Sequence, residues 1–251
     1  MDFIIGGEQV DQVDFSGASI YLDACFVLAF LDLDDNRRHE VARVLDVWSD
    51  HPGVILGVSN HTVAEVINRL FQMKILGALE VYHQNNKLIN QTRDGFNKLS
   101  SNQKMRLLDL DGARFLYGLA KHEDIIRFYN KNINVSVNVM ELIKLAKKDE
   151  DKRNKLDVFY QAAVDTYEEF VQKMVDELGF EVVEILDSTA DISYPAAKIF
   201  MQQFQLDIID SFHLAIAQEN EYNYLATLDG DFVNNFYSRG SSLPTKIIKV
   251  A

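Results

Sequence analysis

The sequence predicts an α/β fold with a central parallel sheet and helices on both of its faces. Two observations predict it. Five short apolar stretches with strand character are spread from Ile20 to Val250. Helical segments separate each from the next, so consecutive strands are joined by crossovers, which suits parallel pairing. The bulk balance agrees: of 251 residues, 47% are apolar and 25% charged, as in ordinary globular chains. No run approaches the 18 apolar residues of a membrane span, so no membrane partner is expected.

The elements follow in order. Ile20-Tyr21-Leu22 forms the first strand. Asp35 or Asn36 can cap a helix that carries Val41, Val44, Leu45 and Trp48 at helical spacing. The His51-Pro52-Gly53 turn signal then leads into the strand Val54–Val58. Thr62 to Phe71 carries Val63, Val66, Ile67 and Leu70 on one helical face. After a long helical stretch, Phe180 to Leu186 follows Gly179 as a strand. Asp207 caps a helix over Ile208–Asn220, and Tyr224–Thr227 and Lys246–Val250 complete the sheet.

Residues 80–178 have a different texture. The prolines lie at 52, 195 and 244, so none interrupts this region. Phe159, Ala162, Thr166, Phe170, Met174 and Leu178 recur every three or four residues, and Gly179 suits a helix C′ position. The region reads as several helices with polar junctions near Asn130–Asn134 and Lys147–Asn154.

Charge is unevenly placed. The net charge of −13 disfavours phosphate binding taken as a sum. Residues 80–178 hold 16 Lys+Arg and 16 Asp+Glu, so the remainder carries the whole deficit. Val81–Lys148 holds 12 bases against 6 acids. Lys87, Arg93, Lys98, Lys104 and Arg106 are candidates to guide a nucleic acid, and solvated helix faces are the plainer reading. A single cysteine, Cys25, permits no internal disulfide and suits a reducing compartment; it reads as a small buried residue. The first residues, Met1 to Glu8, show no basic segment ahead of an apolar one, and a cytoplasmic location is expected.

The chemistry rests on carboxylates. Asp23 follows the first strand directly, Glu65 opens the helix after the second, Asp210 lies in the first turn of its helix, and Asp229 follows Thr227 at a strand end. All four fall at the carboxyl ends of parallel strands, where open α/β sheets bind ligands. Two carboxylates about 4 Å apart repel by roughly 4 kcal/mol at an effective dielectric of about 20. A fold keeps such a cluster when a cation neutralises it, and oxygen-only donors favour Mg²⁺ or Mn²⁺. Thr227 is placed to orient a carboxylate or a metal-bound water. Each acid also has a purely structural reading: Asp23 as a helix cap, Glu65 as a surface residue, Asp210 as the acid of a capping box with Asp207, and Asp229-Gly230 as a turn. Asp231 is a further ligand candidate or a turn residue, and His213 a packed residue or a base.

The local contexts add to this. Leu22-Asp23-Ala24 before an apolar helix, Thr62-Val63-Ala64-Glu65-Val66, Leu206 to Ala217 with its Asp210-Ser211-Phe212-His213 core, and Leu225 to Phe232 with Thr227 two residues before Asp229 occur in this order. As an ordered set they resemble the PIN-domain ribonucleases, the family of the VapC-type toxins, over roughly residues 18–78 and 179–250. The resemblance implies a PIN-like three-layer α/β fold. Residues 1–79 with 179–251 would form the nuclease domain and 80–178 a large helical insertion. It implies a Mg²⁺- or Mn²⁺-dependent endonuclease that hydrolyses RNA, with Asp23, Glu65, Asp210 and Asp229 as metal ligands. An antitoxin protein and a second copy of the chain are the expected partners. Two features depart from the family pattern: Cys25 stands where Ser or Asn is usual, and Glu65 and Asp210 lie 145 residues apart. The rival expectations are a non-catalytic RNA- or protein-binding module on the same scaffold, and a structure-specific DNA nuclease.

Overall fold

A computed structural model describes residues 3–91, 94–120, 138–233 and 243–251. The chain divides into two compact units, residues 1–66 with 167–251 and residues 67–166. The division falls inside two long helices, α3 (Asn60–Gln91) and α7 (Asp157–Asp176), rather than at 80 and 178. Helical periodicity marks where helices are and carries no sign of where their packing partners change.

The first unit is an α/β unit with six described strands: β1 Ile4–Gly6, β2 Ser19–Leu22, β3 Ile55–Ser59, β4 Glu181–Leu186, β5 Tyr224–Thr227 and β6 Lys246–Lys249. Every pairing is parallel, in the order β1-β6-β5-β2-β3-β4. All five predicted strands are present. β1 is additional: Ile4-Ile5 runs into Gly6-Gly7, too short for a period-two pattern, and pairs along the edge offered by β6.

Helices cover both faces. On one, Tyr21, Leu225 and Ile247 pack in a single core with α8 (Ser193–Phe204) and α9 (Ile208–Glu219) through Phe200, Phe204, Leu214 and Ile216. Gly57 belongs to this face, and a Cβ there would collide with the Tyr222 ring, so only glycine admits that ring. On the other face, Phe15 meets Trp48 and Tyr224 edge-on, and Phe26 of α1 (Ala24–Leu31) stacks on Trp48 of α2 (Arg38–Ser49).

Two helix starts differ from expectation. Neither Asp35 nor Asn36 caps α2, which begins after Arg37 with no side-chain cap. Asp35 instead accepts from the Arg37 amide at 2.8 Å and from its guanidinium at 3.0 and 2.7 Å. A charged, bidentate partner two residues on outcompetes a neutral amide donor. α3 continues 20 residues beyond Phe71, because Ile75, Ala78, Leu79, Tyr82 and Ile89 extend its buried stripe and no proline intervenes. α7 ends as predicted: Gly179 has φ +71°, its amide donates to Val175 O, and the Phe180 amide donates to Met174 O.

The second unit is helical. It contains most of α3, α4 (Ser101–Leu107), α5 (Leu110–Leu119), α6 (Val139–Lys147) and the start of α7. Leu107, Leu116, Leu142, Ile143, Ala146 and Phe159 are buried there, and Phe71 stacks on Tyr160 at 3.7 Å. The Lys147–Asn154 junction is observed, since α6 stops at Lys147 and a 3₁₀ turn begins at Arg153. The Asn130–Asn134 junction and Arg93 lie outside the described residues.

Candidate functional site

The strand order places the site. From β2 the chain moves outward to β3 and β4, and then returns to lay β5 on the other side of β2. In open α/β sheets ligands bind beyond the carboxyl ends of the strands at such a reversal, here those of β2 and β5. Asp23, Thr227 and Asp229 stand at that edge, and the first turn of α9 brings Asp210 to it.

Asp23 is buried and fully occupied. Its Oδ1 accepts from the Ala24 amide at 2.6 Å, so it does cap α1. Its Oδ2 accepts from the Thr227 hydroxyl at 2.7 Å and the Cys25 thiol at 2.9 Å. Thr227 is also buried, and its Oγ1 accepts from the Asp229 amide at 2.9 Å. One hydroxyl therefore fixes Asp23 and the backbone of Asp229 together. The Asp229 carboxylate in turn accepts from the Asp231 amide at 2.8 Å, which makes the expected turn.

Asp210, Asp229 and Asp231 each offer a carboxylate oxygen, and these oxygens lie within 4.8 Å of one another. Asp207 caps α9 by accepting from the Asp210 amide at 2.9 Å. The capping box is only half formed, because the Asp210 carboxylate belongs to the acid cluster rather than to the Asp207 amide. Burial, and then the charges of Asp23, Asp207 and Asp229, push the Asp210 carboxyl up to about 8, with a smaller opposing pull from His213. The cluster cannot ionise in full without a counter-charge.

The other two predicted ligands meet elsewhere. Asp23 Oδ1 lies 3.5 Å and Glu65 Oε2 3.7 Å from Nε2 of His213. Glu65 is half exposed on α3, and neither it nor Asp23 belongs to the three-oxygen group. His213 is wholly buried, and its Nε2 has no hydrogen-bond partner among the described residues. Its Nδ1 lies 2.7 Å from the Tyr21 hydroxyl, which also meets Ser59 Oγ at 2.6 Å and Thr62 Oγ1 at 3.0 Å. Burial alone would lower the pKa of His213. The Tyr21 hydroxyl, Glu65 and Asp23 outweigh it and raise the imidazole well above its usual range. His213 is packed in the core, with its Nε2 turned toward the carboxylates of Asp23 and Glu65.

Tyr21, Ser59 and Thr62 are site residues that the sequence does not single out. Period two from Asp23 puts Tyr21 on the same face, Ser59 ends β3 with a hydroxyl and Thr62 carries another in the first turn of α3; those are the signals the chain offers. Cys25 is also corrected: it is part-buried and hydrogen-bonded rather than apolar. It donates to Asp23, accepts from the Leu228 amide at 3.2 Å and sits 3.3 Å from Thr227 Oγ1. Burial and the neighbouring Asp23 raise its thiol pKa far above the usual value. Comparison with protein-family models, with curated proteins and with solved structures finds no match to this chain.

Proposed function

We propose that this protein is a divalent-metal-dependent endoribonuclease. The observation that carries the reading is the group of three aspartates at the switch point of a parallel sheet. The donors fit Mg²⁺ or Mn²⁺: all are carboxylate oxygens, and oxygens on opposite sides of a Mg²⁺ ion sit about 4.2 Å apart, close to the spread of this group. Asp210, Asp229 and Asp231 would hold the ion directly, with Asp23 adjoining through Thr227. One or two such ions would supply a water of lowered pKa and positive charge for the leaving oxygen of a phosphodiester.

The rest is the work of the chain. Thr227 holds Asp23 and Asp229 in register. His213 faces Asp23 and Glu65, which leaves Asp210, Asp229 and Asp231 to hold the ion. RNA as the substrate rests on the PIN resemblance, as do a toxin–antitoxin setting, an antitoxin partner and a homodimer. The test is cleavage of total RNA, and of matched RNA and DNA strands, by the wild type and by Asp23→Asn and Asp210→Asn. RNA products that require Mg²⁺ or Mn²⁺, vanish with EDTA and fall at least about 10³-fold in either variant are expected. A wild type that leaves RNA intact in either metal overturns the reading, and preferential cleavage of DNA replaces its substrate.

A further inference from the structure

The α/β unit has 26 acids and only 8 bases, so a cation near its crevice needs a reason. The pairing registers supply one. Tyr21, Leu225 and Ile247 are in-register neighbours on β2, β5 and β6, and all three pack in one core under α8 and α9. Side chains two residues apart share a face of a strand. The next row on that face is therefore Asp23, Thr227 and Lys249, and Thr227 and Lys249 are paired directly. Lys249 thus stands in the row of Asp23 and Thr227, one strand outside Thr227 and at the sheet edge that carries the acid cluster.

Other bases of this unit are engaged. Arg37 holds Asp35, Arg43 holds Asp11 and Glu40, Lys173 holds Glu177, and Arg38 and Lys198 lie over aromatic rings. Lys249 is half-buried, and no carboxylate lies within 4.0 Å of its ammonium among the described residues. Burial lowers its pKa, Arg37 adds to that, and Cys25 and Asp229 oppose it. An ammonium that loses water without gaining an ion pair is suited to an anion brought by a ligand.

We propose that Lys249 binds a phosphate of the RNA strand as it crosses the acid cluster, a basic contact that the acidic unit itself provides. This rests on the ribonuclease reading. The test measures binding of a labelled single-stranded 12-nucleotide RNA by anisotropy in Ca²⁺, across a salt series, for the wild type, Lys249→Met, Lys249→Arg and Lys246→Met. Lys246 sits at the other end of the same strand, and its replacement removes an equal charge away from the site. Without its ammonium, Lys249→Met should bind about ten-fold more weakly, with a salt slope flatter by about 0.7. Lys249→Arg should retain most of the affinity. If Lys249→Met binds like Lys246→Met, the inference is overturned. Binding is read without turnover, so a protein that binds through Lys249 and does not cleave refutes the nuclease reading alone.

Discussion

The side chains buried in the helical unit, from Leu107 and Leu116 to Phe159, are apolar or aromatic, whereas the α/β unit buries Asp23, Ser59, Thr62, Ser193, Asp210, Ser211, His213, Thr227 and Thr245. The charges divide in the opposite sense. Residues 67–166 hold 17 of the 25 bases and 12 of the 38 acids, which leaves 8 bases and 26 acids to the α/β unit. One unit spends burial on stability and keeps its charge in water. The other tolerates buried polar groups that cost free energy unless they are partnered, and most of them converge on one sheet edge. Buried polarity, more than net charge, marks where the proposed site lies.

The largest expected effect tests the helical side of that contrast. Phe159 is fully buried against Gly112, in a unit that buries no charged side chain among the described residues. Phe159→Ala should lose about 3–5 kcal/mol, with the same loss at pH 5 and pH 8. A loss that varied with pH, measured by urea unfolding, would show that titrating groups depend on this core too.

Asp210→Asn tests the other side, and its sign is reversed. The folded chain holds a proton on Asp210 between its ordinary 3.8 and about 8, and the unfolded chain does not. The Asp210 contribution to wild-type stability therefore falls as pH rises through that window and is constant above it. Asparagine has no such proton. The metal-free variant should equal the wild type near pH 4 and exceed it by about 1–3 kcal/mol at pH 8, since each tenfold change in proton affinity carries about 1.4 kcal/mol before the site relaxes. Mg²⁺ should stabilise the wild type and not the variant. A variant less stable than the wild type at pH 8 breaks the claim that this cluster is a strained site.

A smaller effect concerns the basic surface. Arg106 already pairs with Glu80, and Lys104 donates to Asn97 O and lies over the Phe96 ring. If the helical unit guides RNA, replacing Lys87, Lys98 and Lys104 by Gln should flatten the salt dependence of RNA binding by up to about 2, roughly 0.7 for each phosphate no longer neutralised. An unchanged slope would leave these bases as solvated faces and put the RNA contact on the α/β unit alone.

Much of this arrangement is legible in the chain. The five longer strands, the Gly179 stop and the edge on which Asp23, Asp210 and Asp229 lie follow from periodicity, turn chemistry and the rule for parallel sheets. The division of labour among the acids is not. Which carboxylates share an ion and which face His213 depends on side-chain reach across neighbouring strands, and spacing along the chain does not encode it. Lys249 is inconspicuous for a related reason. Its significance comes from pairing with Thr227, 22 residues away, and no local pattern distinguishes it from Lys246.

Cys25 gives the finest test, because only one atom type changes. Its thiol shares Asp23 Oδ2 with the Thr227 hydroxyl, and Asp23 remains the buried carboxylate beside the cluster. Serine keeps a donor and an acceptor at that position with a shorter reach, so Cys25→Ser should retain cleavage within about three-fold and change stability by less than about 1 kcal/mol. Alanine leaves Asp23 one donor short in a buried site, which costs about 1–3 kcal/mol and should lower metal affinity as well. Because burial and Asp23 hold the thiol protonated, alkylation of the native protein at pH 8 should be much slower than alkylation after unfolding. If Ser and Ala behave alike, the contact to Asp23 is packing and the polar network ends at Thr227. If Ser rescues what Ala loses, the network extends to Cys25, and the thiol acts there as a hydrogen-bonding group.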